Sequence, residues 1–384
     1  MADVIIIQRV ITHYRLPVFE RLWREFGWVV ATAKTPPDNT GLNLVEGNYD
    51  FIRRYDFRFP NPKNAYRCNI PLSQILRDTS ARAVIAEFSM YMNSSYLLPI
   101  RRRLRGSPIT LFWSHGYNMG RGLNNVFQRF AQMPRVALSA LVDGHVCYSE
   151  EGRTYLARFM PRARLFVARN TIDMTALQKR ADSVPPTTPI GRPHLLTIGR
   201  ITQDKDFPRL VQVFHMLREK FPDAVLTIIG DGPDASRTRT AAGDELGGSV
   251  RMVGAEYEEE RLAGYYRSAD IVVFPGAVGL SVNHALAHGV PVIAYDRTST
   301  GPHHNPEIAY VVNDVTGMRV PTYTDEAMLE ALRSFLTRHP DPKADFSDAI
   351  AHYVAENLSL DRMIEDFRGI HEHLRSLGVG IGCS

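Results

Sequence analysis

The chain has 384 residues, of which 44% are hydrophobic and 22% charged, so it has the composition of a globular protein too long for one typical core. No run of 18 apolar residues occurs, which excludes a membrane-spanning class, and the formal net charge is only +4. Three scattered cysteines form no paired framework and predict reduced thiols. The first residues carry an acid where a signal peptide carries positive charge, so we expect a cytoplasmic protein.

The first 185 residues alternate short apolar runs with helical patterns. The runs predict strands, and helical spacing appears between them at 18–26, 72–77 and 152–159. This alternation favours a parallel sheet with crossover helices. Residues 8–17 join the first strand to the first helix and form a candidate ligand loop, in which Arg15 is a candidate contact on the acceptor side. The predicted strands of this half lie at 4–7, 29–32, 83–86, 109–113, 144–148 and 165–168.

Two other strand ends in this half carry polar side chains. Glu87 follows the run at 83–86 and is a candidate for holding or deprotonating an acceptor hydroxyl. The loop at 113–122 contains His115 and Asn118. A lone histidine is more often structural, but a position at a strand end directly before Gly116 favours a functional His115, with Asn118 as a further acceptor-side candidate.

Residues 101–169 are rich in arginine and contain few acids. One interpretation is a solvated helix face. The other is contact with an anionic membrane surface or a phosphate-bearing lipid, because long apolar residues lie among the arginines. No recognised nucleic-acid motif accompanies the charge, so nucleic acid is not an expected partner. The interspersed apolar residues are Leu104, Val126, Phe127, Phe130, Met133, Val136, Leu138 and Leu141.

A polar, proline-rich stretch at 179–193 is typical of a linker between domains. After it the strand and helix pattern restarts, with strands predicted at 195–198 and 225–229, and the last periodic segment, 360–374, is an amphipathic helix. We therefore divide the chain into domains at 1–185 and 186–355, followed by a C-terminal segment at 356–384.

Small residues and cations follow the strands of the second half. Gly199 and Arg200 follow the strand at 195–198, and Lys205 comes five residues after Arg200. A Gly-Asp-Gly-Pro turn at 230–233 follows the next strand. The strand at 270–274 leads through a glycine-containing loop to a short helical pattern and a further apolar run at 292–294. Ligands bind at such strand ends in parallel α/β sheets, although two cations in a loop are otherwise most often solvated.

These residues together resemble the retaining glycosyltransferases of family four. The resemblance rests on Gly199-Arg200, Lys205, the turn at 230–233, and the segment at 278–292, and it is strong over residues 190–325. It implies the GT-B fold, an α/β architecture of two Rossmann-like, doubly wound parallel-sheet domains with an interdomain cleft. It also implies that the final helix crosses back to the first domain.

The resemblance assigns roles to individual residues. Arg200 and Lys205 would bind the donor pyrophosphate without a metal or other cofactor, and His115 would meet the reacting sugar from the acceptor side. His284 stands where the family has its second motif glutamate, and Gly276 stands where it has the first, so the usual carboxylate pair is absent. His284 can still bond a ribose hydroxyl. The remaining donor-binding candidates are Gly199, Gly230, Gly232, Gly279, Leu280, Ser281 and Glu307.

The expected function is retaining transfer of a sugar from a UDP- or GDP-sugar to a saccharide or lipid-linked saccharide acceptor, in surface polysaccharide or glycolipid biosynthesis. The expected place is the cytoplasm, including the inner face of the cell membrane. Two alternatives stay open. One is other nucleotide-sugar chemistry on the same fold, such as epimerisation, and the other is a non-catalytic subunit that binds nucleotide or glycan.

Overall fold

The computed structural model describes residues 3–35, 44–60, 68–89, 92–117, 126–187, 191–297 and 301–379. The chain forms two compact units. Unit 1 comprises Met1–Ile172 together with Leu360–Ser384, and unit 2 comprises Asp173–Ser359. The divisions therefore fall after Ile172 and after Ser359. The sequence pattern predicted them after residues 185 and 355.

Unit 1 is built on a seven-stranded sheet with the order β3-β2-β1-β4-β5-β6-β7, in which every neighbouring pair is parallel. Helices pack on both faces, so the central strands are buried on both sides and consist of apolar residues. The strands are β1 (Val4–Ile7), β2 (Val29–Ala33), β3 (Ile52–Tyr55), β4 (Ala83–Glu87), β5 (Ile109–Ser114), β6 (Gly144–Cys147) and β7 (Leu165–Val167).

The helices of unit 1 connect these strands. The first helix has a proline at its beginning, where a missing amide hydrogen costs nothing, and stops at Gly27, whose φ of 68° is the left-handed conformation that caps many helices. The described helices are α1 (Leu16–Phe26), α2 (Leu72–Thr79), α3 (Leu97–Arg105), α4 (Val126–Phe130), α5 (Met133–Ala140) and α6 (Glu150–Leu156).

Unit 2 repeats the plan with six parallel strands in the order β10-β9-β8-β11-β12-β13. The prediction of two doubly wound parallel sheets is confirmed. Its strands are β8 (His194–Ile198), β9 (Val225–Ile229), β10 (Val250–Gly254), β11 (Ile271–Phe274), β12 (Val292–Tyr295) and β13 (Gly317–Val320). Its helices are α7 (Met174–Asp182), α8 (Phe207–Arg218), α9 (Ala235–Ala242), α10 (Glu259–Ser268), α11 (Ser281–Ala287), α12 (Asp325–Arg338) and α13 (Pro342–Asn357).

The last helix, α14 (Leu360–Ser376), completes the core of unit 1. Its Phe367 is fully buried, and the ring meets Trp28 and Trp113 edge-on, with ring centres 6.0 Å and 5.1 Å apart. The core of unit 1 therefore contains residues from the first strands together with residues near the end of the described chain. No helix in the described ranges is both long and apolar enough to cross a bilayer.

Removing the Phe367 ring should weaken unit 1 substantially. The substitution Phe367→Ala leaves a cavity between two tryptophans, and such truncations cost about 3 to 5 kcal/mol. Tryptophan fluorescence recorded during urea unfolding measures the decrease in the free energy of unfolding. Glu372→Ala, at an exposed position of the same helix, is the control and should leave the transition unchanged. An equal, small effect of both substitutions would show that α14 adds little to this core.

Candidate functional site

Each sheet reverses its strand order once, and several predicted site residues follow the strands beside the reversal. In unit 1 the reversal lies between β1 and β4, and in unit 2 between β8 and β11. Ligands of doubly wound sheets bind outside the carboxyl ends of the strands at this point. The loops that leave these ends are therefore the places to look for chemistry.

In unit 2 the loops after β8 and β9 are held together by backbone contacts. Gly199 N donates to Ile229 O at 3.0 Å, and Ile201 N donates to Asp231 O at 2.9 Å. A Cβ atom at Gly230 would lie 1.9 Å from the Gly199 oxygen, so no larger residue fits this position without a backbone shift. The predicted glycines thus shape the loop, and a direct contact with a ligand stays a prediction.

The loop after β8 also packs tightly against the loop after β11. Ala277 N donates to Asp204 O at 2.8 Å, and the Lys205 ammonium donates to Ala277 O. A Cβ atom at Gly276 would lie 2.4 Å from Asp204 O and 2.5 Å from the Lys205 backbone. In this packing no side chain can occupy position 276 without a shift of the backbone, which gives a physical reason for the glycine.

Two carboxylates act on the partly buried ammonium of Lys205. Burial lowers the pKa of Lys205, and the charges of Asp204 and Glu307 oppose that change. Glu307 is itself buried, with 3% of its surface exposed, in the turn at Pro306–Tyr310. Arg200, in contrast, is exposed, and no residue in the described ranges forms an ion pair with it. The predicted cation pair thus consists of one anchored and one exposed charge.

The segment at 304–307 binds the other side of the same loop. Val278 N donates to His304 Nδ1 at 3.2 Å, and Asn305 N donates to Val278 O at 3.4 Å. His304 is fully buried, and burial, aided by Arg297, lowers its pKa to about 4. The ring is therefore neutral near pH 7 and acts as an acceptor. The sequence analysis missed His304, since only its place two residues before Pro306 hints at a role.

His284 lies on the short helix α11, which begins at Ser281 directly after Gly279 and Leu280. Burial, followed by the neighbouring His288, lowers the pKa of His284 to about 4. Its ring is nearly parallel to that of Tyr266, with centres 6.3 Å apart. At neutral pH His284 is thus an uncharged imidazole that packs on an aromatic ring.

In unit 1, Glu87 at the end of β4 is paired with Arg9. Its Oε1 accepts from Arg9 Nε at 2.8 Å and also from Nη2, and its Oε2 accepts from the Arg9 backbone at 3.1 Å. Burial alone would raise the pKa of Glu87, but the charge and hydrogen bonds of Arg9 lower it overall. A carboxylate with a lowered pKa is a weak proton acceptor, which does not favour Glu87 as a general base.

Arg15 reaches three of the strand ends of unit 1. Its Nη2 donates to Tyr148 Oη at 2.9 Å and to Asn170 Oδ1 at 3.3 Å, and its guanidinium lies 5.2 Å from the centre of the Trp113 ring. His115 joins this cluster, because its ring centre is 5.0 Å from that of Tyr148. Asn118 lies outside the described residues.

The backbone of His115 is fixed by two glycines. Gly116 has a φ of 82°, and a Cβ there would lie 2.7 Å from Gly152 O. A Cβ at Gly152 would lie 2.4 Å from His115 O. The loop that carries His115 is therefore pressed against the first turn of α6, which supports the expectation that the histidine has a defined position.

Arg135 is buried beside this loop, although the sequence grouped it with the surface arginines. Only 8% of its surface is exposed, and its guanidinium lies 4.8 Å from the centre of the Phe88 ring. Burial lowers the pKa of Arg135 to about 10. It is not part of a solvated face, because its place on α5 points it towards the sheet, which a count of arginines cannot show.

Ser114 links Arg135 to the His115 loop. Its hydroxyl accepts from Arg135 Nη1 at 3.2 Å and from Gly116 N at 3.1 Å, and it contacts His145 Nε2 at 3.0 Å. With both lone pairs used, the hydroxyl donates to His145, whose pKa burial lowers to about 3. Within the described ranges no three His, Cys, Asp or Glu side chains group as a metal site would require.

Two doubly wound parallel sheets with polar loops at their switch points define the GT-B architecture. Residues 179–352 match the family model of glycosyl transferases group 1. The match covers a little less than half of the chain. One curated relative, an uncharacterized glycosyltransferase from Haemophilus influenzae, is 24% identical over 181 residues, which make up 46% of this chain and 48% of the relative.

Solved structures with the same fold cover nearly the whole chain. A sucrose-phosphate synthase from Thermosynechococcus elongatus superposes with a TM-score of 0.71 at 18% identity, over 98% of this chain and all of that one. The Anabaena protein HepE, solved in complex with UDP, gives a TM-score of 0.65 at 11% identity, over 98% of this chain and all of that one. At these identities the likeness shows the fold.

The neutral His304 should make stability depend on pH. Its pKa is lowered from 6.5 to about 4, so the unfolded chain takes up a proton first as the pH falls through this window. The contribution of His304 to the free energy of unfolding is thus constant above pH 6.5. It falls by on the order of 3 kcal/mol as the pH drops to 4. His304→Asn cannot titrate, and urea unfolding should show a smaller loss over this window.

The neighbouring His303 is exposed and provides the control, because His303→Asn should keep the pH dependence of the original chain. A difference in the free energy of unfolding that is the same at every pH reflects packing and does not affect the comparison. If His304→Asn loses as much stability over this window as the control, the ring is not held neutral by its surroundings.

Proposed function

We propose that this protein transfers a sugar from a UDP-sugar to a saccharide or lipid-linked saccharide acceptor, with retention of configuration at the anomeric carbon. The observation that carries the proposal is the joining of four strand-end loops of unit 2 around Lys205. The same residues fall within the segment that matches the glycosyltransferase family. Unit 1 would supply the acceptor side through Arg15 and His115.

The two cations suit the donor diphosphate. As the glycosidic bond breaks, negative charge grows on the leaving phosphate, and a fixed cation stabilises the transition state more than the ground state. Lys205 is fixed by its bond to Ala277 O, while Arg200 is exposed and able to meet a ligand. Neither role calls for a metal ion, and we propose that none is required.

The choice of UDP rests on a neighbour, since HepE was solved with UDP. The ribose would then lie near His284, whose neutral ring can bond a hydroxyl group. Glu307 would act through Lys205, to which it is electrostatically coupled.

Retention is proposed from the resemblance to retaining enzymes. Positions 276 and 284 hold glycine and histidine, so neither supplies a carboxylate nucleophile for a double displacement. We therefore favour a front-face reaction, in which the bond from the anomeric carbon to the phosphate oxygen breaks as the acceptor oxygen bonds to that carbon. The acceptor proton passes to the departing phosphate. The pairing of Glu87 with Arg9 agrees with a phosphate base, because Glu87 is then a weak one.

Arg200→Ala should weaken nucleotide binding without disturbing the fold. The side chain is exposed, and losing a charge-assisted bond to the diphosphate should cost about 1.5 to 3 kcal/mol in turnover and in inhibition by UDP. Lys205→Ala should have a similar effect, with an added loss of stability because its bond to Ala277 O also disappears. Product formation from radiolabelled UDP-sugars and calorimetric titration of UDP measure both effects.

Lys220→Ala, at an exposed cation on the same unit, is the matched control and should behave like the original chain. Unchanged UDP inhibition in both the Arg200 and Lys205 variants would remove the pyrophosphate role. Conversion of the donor to an isomer without an acceptor would favour epimerisation, and UDP binding with no product from any donor would favour a non-catalytic subunit.

His115→Ala should separate acceptor chemistry from nucleotide binding. The residue belongs to unit 1, so we expect transfer to fall by about 100-fold, in the range of lost acid–base or positioning contacts, while the Kd for UDP stays the same. His352→Ala, at an exposed histidine of unit 2, is the control. Full transfer activity in His115→Ala would return this residue to a structural role.

A further inference from the structure

Unit 1 exposes a group of large apolar side chains on neighbouring helices. Phe127 is 88% exposed, Leu104 80% and Phe130 76%, although such residues are normally buried. We call this group the α3–α4 surface. Its members are Leu97, Ile100 and Leu104 of α3, Val126, Phe127 and Phe130 of α4, and Met133 at the start of α5.

Two contacts connect the segments that carry these helices. Arg102 of α3 pairs with Asp143, which follows α5, at 2.8 Å. The short α4 leads directly into α5, since Gln132 N donates to Arg129 O. The chain therefore ties α3 and α4 to the same helix, α5, or to the residues that follow it.

The hydrophobic core does not use these side chains. The same helices point other residues inward, because Leu98 of α3 and Val136 of α5 are 1% and 3% exposed. The sequence grouped Val136 with the interspersed apolar residues, and the structure moves it into the core. Packing thus accounts for one face of α3 and one of α5, whereas α4 buries no residue, and Phe127, Phe130 and Leu104 are left in water.

The segment that carries this surface contains arginines and no acidic residue. Residues 88–142 contain no aspartate or glutamate and seven arginines. Arg102 is neutralised by Asp143, whereas Arg103 and Arg105 on the same helix are exposed. Exposed aromatic and aliphatic side chains in the same segment as arginines suit contact with a bilayer interface, where anionic headgroups cover an apolar acyl region.

We propose that the α3–α4 surface inserts into the interface of an anionic phospholipid bilayer. The apolar side chains would enter the acyl boundary, and the arginines would bind the lipid phosphates. α3 and α4 follow the strands that end at Glu87 and Ser114 in the chain. The proposal rests on unit 1 alone and stands whether or not the sugar chemistry is correct.

Sedimentation with vesicles tests the electrostatic part. The full chain should pellet with phosphatidylglycerol vesicles at low salt, bind much less at high salt, and bind little to phosphatidylcholine vesicles. Arg103→Glu with Arg105→Glu should weaken binding by about 25-fold or more, because each cation near an anionic surface contributes about a fivefold factor. Lys220→Glu with Arg239→Glu, at exposed positions of unit 2, is the charge-matched control and should bind like the original chain.

A second pair of variants tests the apolar part. Phe127→Ser with Phe130→Ser should reduce binding by at least about tenfold, since two aromatic rings no longer leave water. Leu246→Ser with Tyr257→Ser removes exposed apolar residues of unit 2 and should have no effect. Because both phenylalanines are exposed, the fold should survive, which circular dichroism can check.

A fluorescent label reports insertion directly. Cys68 and Cys147 are buried, so after Cys383→Ser an environment-sensitive dye can be attached through Phe127→Cys. Its emission should shift to the blue with anionic vesicles only. Equal binding to both lipids with no effect of salt, or no shift on binding, would overturn the proposal. The proposal would also be overturned if analytical ultracentrifugation showed a dimer that becomes monomeric in the phenylalanine variants. The surface would then be a subunit interface.

Discussion

The contact between the backbone at 204–205 and Gly276 is the constraint on which the candidate donor site depends. It leaves no room for a Cβ atom at position 276, and it places the Lys205 ammonium on the carbonyl of the next residue. The loop after β11 is then held from its other side by His304 and Asn305. A cation, a buried carboxylate and a backbone loop are thereby fixed together before any ligand arrives, which is the preorganisation that electrostatic catalysis needs.

The same contact accounts for the glycine at position 276, because a side chain there would need the space that the neighbouring backbone fills. Two carboxylates act on Lys205 nearby, Asp204 of the same loop and Glu307 of a different segment. The two histidines nearest the loop, His284 and His304, are both kept neutral by burial. The charged side chains that act on Lys205 are thus Asp204 and Glu307, and Arg200 is exposed in the same loop.

The fold could be predicted from the sequence because parallel strands buried on both faces are continuous apolar runs, as in β1 and β11. The glycine at 230 was also visible as part of a turn motif, and the close packing of the loops accounts for it. Contacts between residues far apart in the sequence could not be predicted. The pairing of Glu87 with Arg9, the bond from His304 to Val278 and the burial of Arg135 depend on tertiary contacts. Exposure was equally hidden, because Phe127 and Val136 look alike in a periodic pattern and only one of them is buried.

Hydrogen exchange measured with and without UDP tests the central claim most directly. If four strand-end loops form one donor-binding surface, UDP should slow exchange together in the segments around 199–205, 230–232, 276–281 and 304–307. The end of helix α12, where Arg333 pairs with Glu219, should exchange at the same rate in both states, because local protection follows local contacts and stability. Protection confined to other segments, or none at saturating UDP, would contradict the account.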